Sequence, residues 1–411
     1  MSANTPMIAK GSAKSVCIVT ETWKGEVNGV AMTLGRLADG LQKRGHKVRV
    51  IRPRQHQEKD PPCREEEEVV PGIALPWYKE LRLGLPSASL LKKLWLRRKP
   101  DIIYVATEGP LGLAAILTAK GLGVPVISGF HTNFHAYCGH YGLKWVQDLM
   151  LSYLRWFHNR TDCTLVPSPD QLALLRRKGF TNANLFGRGV DHTLFSPGRR
   201  CVKLRESWGV SSSDQVVLHV GRLASEKNLR LGIHAWRAMQ QKNPKLRFVI
   251  VGDGPMAGEL RRDCPEAVFC GTLAGEELAR AYASADIFLF PSETETFGNV
   301  TVEAMASGLA VIAYNYAAAG IFIRNGISGA LATPGNPEEY IEAALSLVHA
   351  PERVRAFGEK ARATIVPHGW SQVLDRFEKV TGRILDEQVV KQNPGWPERW
   401  LITVGARATI G

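Results

Sequence analysis

No C-x-x-C pair occurs in the sequence, and its seven cysteines, at positions 17, 63, 138, 163, 201, 264 and 270, are scattered and odd in number. A disulfide framework and a cysteine-based zinc site are therefore not expected, and a reducing cytoplasm is the natural compartment. No segment approaches the roughly 18 consecutive apolar residues that a spanning helix requires, which excludes a polytopic membrane protein. Met1 to Lys14 has no apolar core, so no secretory leader is expected there. Internal repeats and low-complexity tracts are absent as well, which excludes a solenoid. Acidic residues run short in one half only. Residues 1–200 hold 29 Lys+Arg against 16 Asp+Glu, whereas residues 201–411 hold 23 of each, so the whole net charge of +13 sits in the first half. One half should therefore meet an anionic partner that the other does not.

What is present suits a globular protein: 411 residues, 45% hydrophobic and 22% charged, give enough material for two domains. Short apolar runs alternate with helical periodicity. In the first half the strand-like runs are Val16–Thr20, Lys47–Arg52, Ile102–Ala106, Val124–Ser128 and Thr164–Pro167. In the second they are Val216–Val220, Arg247–Val251, Val268–Cys270, Ile287–Phe290, Leu309–Ala313 and Gly329–Ala332. Between strands, residues such as Val30, Leu34, Leu37 and Leu41 share one helical face. This alternation of continuous apolar strands with helices predicts an α/β fold of doubly wound parallel sheets. The pattern runs twice, with the turn-rich stretch Val190–Arg199 between. The expected domains are 1–195 and 196–385, followed by a tail over 386–411 that is free to pack back on the first domain. The acidic run Glu65–Glu68, between Pro61-Pro62 and Pro71-Gly72, reads as a solvated loop. Two such domains create a cleft, and ligands of open α/β sheets bind at the carboxyl ends of the strands.

Four segments at such strand ends carry candidate chemistry. The first is Glu21–Val30, which leads into a helix; small residues at a helix start let backbone N–H groups approach a phosphate, although a plain βα turn is also compatible. The second is Gly129–His135, in which His131 sits where a ligand would bind and can donate a hydrogen bond or handle a proton; a structural loop histidine is the alternative. His135 and His140 are nearby, but no carboxylate accompanies them at ligand spacing, so a metal site is not expected. The third is Gly221–Asn228. Its Arg222 and Lys227 together can offset roughly two negative charges, as a diphosphate requires. The fourth is Pro291–Gly308, in which Glu295 precedes a Gly-containing turn and Glu303 lies on the following helix. Carboxylates accept from hydroxyls, so two of them here suit a polyhydroxylated ligand, with the turn's N–H groups available to phosphate.

Together these segments resemble the retaining glycosyltransferases of family GT4, which have the GT-B fold of two Rossmann-like domains facing across a cleft. The resemblance runs from about Val16 to Leu385. Its most specific element is the E-x7-E pattern from Glu295 to Glu303, joined by Gly-Arg-Leu-x-x-Glu-Lys-Asn, Val251-Gly252-Asp253-Gly254-Pro255 and His131. Val27–Val30, Phe130–Tyr137, His140–Leu143 and Tyr316–Ala319 look like the subgroup that includes GDP-mannose-dependent α-mannosyltransferases and sulfoquinovosyl- or glycosyl-diacylglycerol synthases. The resemblance implies that Arg222 and Lys227 hold the donor diphosphate and that Glu295 contacts the transferred sugar, with the N–H groups of Phe297 and Gly298 beside it. It implies that Glu303 accepts from the ribose and that Asn28, Gly29 and Val30 approach the diphosphate from the other domain. His131 would meet the sugar or the reacting centre, and Gly252 and Leu273 would border the base. The substrate is then a nucleotide diphosphate sugar, GDP-mannose or a UDP-hexose, with no cofactor. The absence of a D-x-D triplet agrees with transfer that needs no metal. The chain departs from many relatives at Leu309-Ala310, where Pro is common, and at Asn315–Gly320, where a Gly-rich loop is usual, which leaves the donor sugar open.

In this fold the N-terminal domain takes the acceptor. Here it carries Lys92-Lys93, Arg97-Arg98-Lys99 and the segment Trp145–Phe157, whose aromatic, aliphatic and basic residues suit either an interfacial helix on anionic lipid or an ordinary core helix. No nucleic-acid-binding motif occurs, so nucleic acid is not an expected partner. The leading expectation is transfer of a hexose to a lipid or glycolipid acceptor, by an enzyme that is cytoplasmic and peripheral on the inner face of the cytoplasmic membrane. Transfer to a soluble or polyprenyl-linked saccharide, and a non-catalytic nucleotide-sugar-binding protein, are the alternatives.

Overall fold

The computed structural model describes residues 13–24, 29–55, 66–75, 78–131, 144–211 and 213–392. In the first half these form β1 (Ser15–Val19), β2 (Lys47–Pro53), β3 (Glu67–Val70), β4 (Gly72–Leu75), β5 (Tyr78–Gly84), β6 (Ile102–Val105), β7 (Val126–Gly129), β8 (Cys163–Val166) and β9 (Ala183–Leu185). Seven of these make one parallel sheet in the order β3-β2-β1-β6-β7-β8-β9, while β4 and β5 pair as an antiparallel hairpin. The second half contributes β10 (Val216–Val220), β11 (Arg247–Val251), β12 (Val268–Gly271), β13 (Ile287–Phe290), β14 (Ala310–Tyr314) and β15 (Ala330–Ala332), parallel in the order β12-β11-β10-β13-β14-β15. These are the two doubly wound sheets expected for GT-B. Strand order reverses beside β1 and beside β10, and such reversals open a crevice at the strands' carboxyl ends.

The continuous apolar strands have a direct cause. In β1, Val16 and Ile18 enter one core cluster while Cys17 and Val19 enter another on the opposite face of the sheet. In β10, Val216, Leu218 and Val220 face one layer and Val217 the other. Helices cover both faces, so alternation of side chains no longer alternates polarity. The helix Gly29–Lys43 buries Leu34, Leu37 and Leu41, with Val30 partly buried, against the first sheet.

Two expectations change. The acidic run is not simply a solvated loop, because Glu67 and Glu68 stand in β3, paired with β2. Glu67 accepts from Arg52 Nη2 at 3.0 Å and Nε at 3.1 Å, and from Trp23 Nε1 at 3.2 Å. Arg52 is almost fully buried, and a buried guanidinium needs a paired carboxylate. The chain also returns to the first domain earlier than 386. The helix Trp370–Gln392 places Val373, Leu374, Phe377 and Ile384 in the core beside Leu37 and Leu41. Arg44 fastens it, bonding Asp375 at 2.6 Å and Glu378 at 2.8 Å. The tail from 393 onward lies outside the described residues.

Candidate active site

The cleft-facing wall of the first domain begins at β1. Asn28 falls outside the described residues, but Gly29 opens the helix that follows. A Cβ on Gly29 would lie 3.3 Å from Asn299 Nδ2 and 3.7 Å from Arg188 Nη1. The start of this helix therefore faces the start of the helix Asn299–Ala306 in the second domain, with Arg188 beside both. Neither helix has an acidic residue in its first turn, and no side chain caps the second. Both positive dipole ends thus point into the cleft, and neither first turn carries a carboxylate to offset them. The Val30 side chain turns to the core, so its contribution is confined to the backbone of the helix start.

His131 follows β7 and is 8% exposed. Its Nε2 lies 2.6 Å from Tyr104 Oη and its Nδ1 lies 3.3 Å from Arg188 Nη2. Guanidinium can only donate, so Nδ1 accepts and the neutral ring carries its hydrogen on Nε2, donated to Tyr104. Burial, with Arg188 and His158 adding to it, holds the His131 pKa well below the ordinary histidine value. The ring is a neutral, oriented group with both nitrogens engaged, and a base role would require Arg188 to leave Nδ1. Across the cleft Thr296 Oγ1 donates to the His131 carbonyl at 3.1 Å, which ties this strand end to the loop carrying Glu295. His135 and His140 lie outside the described residues.

On the second domain, the loops after β10 and β13 meet. Lys227 is ion-paired with Glu295 Oε1, which also accepts from Ser292 Oγ at 2.8 Å. Arg222 is 46% exposed and stands 3.9 Å from Glu226. The Phe297 side chain enters the core, so only its backbone is available to a ligand. Gly298 has φ 92°, a left-handed conformation that starts the next helix and that a side chain would strain. Gly252 is required by contact, because a Cβ there would meet the Gly221 carbonyl oxygen at 1.9 Å. That close approach seats the β11 loop on the Arg222 loop. Leu273, after β12, is partly buried against the core.

The helix Asn299–Ala306 divides the site. Thr301 faces a crevice of about 190 Å³ that it shares with Ser292, Glu295, Tyr316 and Ala317. Asn299 and Glu303 face a second crevice, of about 290 Å³, with Met32, Arg36, Gly189 and Trp370. Glu303 accepts from Tyr282 Oη at 3.1 Å, and burial raises its pKa to about 7. The structure thus joins Lys227 with Glu295, links Thr296 to His131, and puts Glu303 on the interdomain side. Tyr104, Arg188 and Asn299 were missed in the sequence. Arg188 sits between two glycines in Gly187-Arg188-Gly189, and that flanking is the only local sign of it. Among the described residues no group of three or more His, Cys, Asp or Glu has the arrangement of a metal site.

Residues 27–194 match the family described as Glycosyltransferase Family 4, and residues 214–350 match Glycosyl transferases group 1. The chain is 34% identical to the GDP-mannose-dependent alpha-mannosyltransferase of Mycolicibacterium smegmatis, over 90% of this chain and 98% of that protein. It is 33% identical to the sulfoquinovosyl transferase SQD2 of Arabidopsis thaliana, over 80% of this chain and 66% of that protein. Among solved structures it resembles sucrose-phosphate synthase from Thermosynechococcus elongatus, with a TM-score of 0.75 at 18% identity, covering 91% of this chain and 100% of that one.

Proposed function

The chain belongs to glycosyltransferase family 4 and is a hexosyltransferase of GT-B fold, and on that premise we propose that it moves a mannose- or glucose-type hexose from a nucleotide diphosphate sugar to a lipid or glycolipid acceptor, with retention of configuration. The observation that carries this reading is the Lys227–Glu295 ion pair, one residue from the Thr296–His131 bridge. It sets a cation for phosphate and a carboxylate for sugar hydroxyls side by side where the domains meet. Donor binding exchanges this internal pair for two ligand contacts: Lys227 takes a diphosphate oxygen and Glu295 accepts from the sugar.

The chemistry follows from charge. As the bond from C1 to the diphosphate oxygen breaks, positive charge grows on the sugar and negative charge on the leaving group. Arg222, Lys227 and the facing helix starts stabilise the diphosphate. The acceptor hydroxyl oxygen bonds C1 on the same face, and its proton passes to the departing diphosphate. A neutral His131 beside the sugar adds no opposing positive charge.

The acceptor reading draws support from the first domain. On the helix Lys144–His158, Leu154 and Phe157 are buried while Leu149 is 65% and Trp156 41% exposed. The Arg160 guanidinium stacks on Trp156 at 3.7 Å. Lys92, Lys93, Arg97, Arg98 and Lys99 are exposed on the same domain. An exposed ring and an exposed aliphatic side chain flanked by cations suit an anionic bilayer surface, here the inner face of the cytoplasmic membrane. No helix among the described residues is long and apolar enough to cross a membrane. The test is transfer from a panel of radiolabelled GDP- and UDP-sugars to a total lipid extract. Label in the lipid phase is expected; label only in a water-soluble saccharide, or none, overturns the lipid acceptor.

A further inference from the structure

We propose that Arg188 is a third cation for the donor diphosphate, supplied from the acceptor side of the cleft, opposite Arg222 and Lys227. The inference rests on the nucleotide-sugar reading and extends it to a residue outside all four motif segments. Arg188 follows β9 and enters the space between the starts of the helices Gly29–Lys43 and Asn299–Ala306. Its Nη1 lies 3.3 Å from Asn299 Oδ1 and its Nη2 lies 3.3 Å from His131 Nδ1. Both partners are neutral, and both contacts are at the long end of the hydrogen-bond range. Its Nε is covered and has no hydrogen-bond partner, and Arg188 forms no ion pair among the described residues.

This is an unusual place for a guanidinium that bonds only neutral partners. Two helix N-termini already add positive potential there, and neither brings an acidic first turn. Burial pulls the Arg188 pKa down to about 10, with Tyr104 and Glu295 partly opposing it, so the side chain remains charged near neutral pH. Three sources of positive potential converge there, and no carboxylate among the described residues bonds the Arg188 guanidinium. A diphosphate completes that point: its oxygens accept from the remaining Nη hydrogens of Arg188 and from the start of the helix Asn299–Ala306. Arg188 then holds the leaving group from one wall while Arg222 and Lys227 hold it from the other. A purely structural Arg188, serving only to orient His131, would be indifferent to phosphate.

The test is calorimetric titration of the full chain with GDP and UDP, and with GMP and UMP, for wild type, Arg188→Gln, Arg188→Lys and Arg222→Ala. Gln keeps an amide able to donate to His131 Nδ1 but removes the charge. For whichever diphosphate the wild type binds, Arg188→Gln is expected to weaken binding by roughly 10- to 100-fold, with a smaller loss for the monophosphate. Arg188→Lys keeps the charge without the fork and is expected to lose roughly 3- to 10-fold; it carries the test if the Gln variant does not fold. Wild-type diphosphate affinity in a folded Arg188 variant, or equal losses for mono- and diphosphate, overturns the proposal. If Arg222→Ala loses binding while Arg188→Gln keeps it, only this inference fails. If the wild type binds no nucleotide, the donor reading fails and this inference with it.

Discussion

Tyr282 Oη donates to Glu303 Oε2 over 3.1 Å, at a carboxyl that is 8% exposed. Burial dominates there and raises the Glu303 pKa from 4.5 to about 7, against the smaller downward pulls of Tyr282 and Arg36. A carboxyl raised in this way supports the fold fully below its unfolded pKa, and that support is lost as pH rises through about 7. Glu303→Gln removes the dependence. Without nucleotide, its thermal midpoint should match wild type near pH 4 and exceed it near pH 8, by the equivalent of roughly 1–3 kcal/mol. Scanning calorimetry across that range checks this; a difference that does not grow with pH contradicts it.

Asn299 faces Gly29 and accepts from Arg188. Asn299→Asp places a fixed carboxylate between two helix starts and a guanidinium. The ligand-free protein should gain roughly 1 kcal/mol, because the new charge meets three positive sources. Nucleoside diphosphate affinity should fall about tenfold or more, because that charge repels phosphate. Paired melting and nucleotide titration read both; tighter diphosphate binding contradicts the assignment of this point as an anion site.

Gly252 has no room for a methyl group beside the Gly221 carbonyl, and its φ of 135° disfavours a side chain as well. Gly252→Ala should cost roughly 2–4 kcal/mol and loosen the loop that bears Arg222. Urea denaturation measures it, and an unchanged midpoint would show that the two loops do not pack so closely.

Leu149 and Trp156 project from a helix whose other face is anchored in the first domain. The pair Leu149→Glu and Trp156→Ser should leave folding intact and reduce sedimentation with phosphatidylglycerol vesicles several-fold. Binding equal to wild type would remove this helix from the membrane contact.

Much of the fold was legible because buried parallel strands write themselves as apolar runs: β10, β11 and β13 begin and end where Val216–Val220, Arg247–Val251 and Ile287–Phe290 do. β3 was not legible, since what holds its Glu67 are Arg52 and Trp23, 15 and 44 residues away. The motif segments lie at strand ends, but the pairing of their residues was hidden. Lys227 and Glu295 are 68 residues apart, and no local spacing joins them. Arg188 was invisible for the same reason: its partners His131 and Asn299 are 57 and 111 residues away.

In the proposed reaction, cations of the second domain hold the leaving diphosphate while Glu295 holds the sugar. The most direct measurement is the initial rate of labelled hexose transfer by a folded Lys227→Ala variant, beside wild type, with the donor that the wild type uses. A fall of roughly 100- to 1,000-fold is expected, because a cation aimed at the developing charge is lost and Glu295 loses its ion-pair partner. Transfer at the wild-type rate by a variant with an intact thermal transition would contradict it.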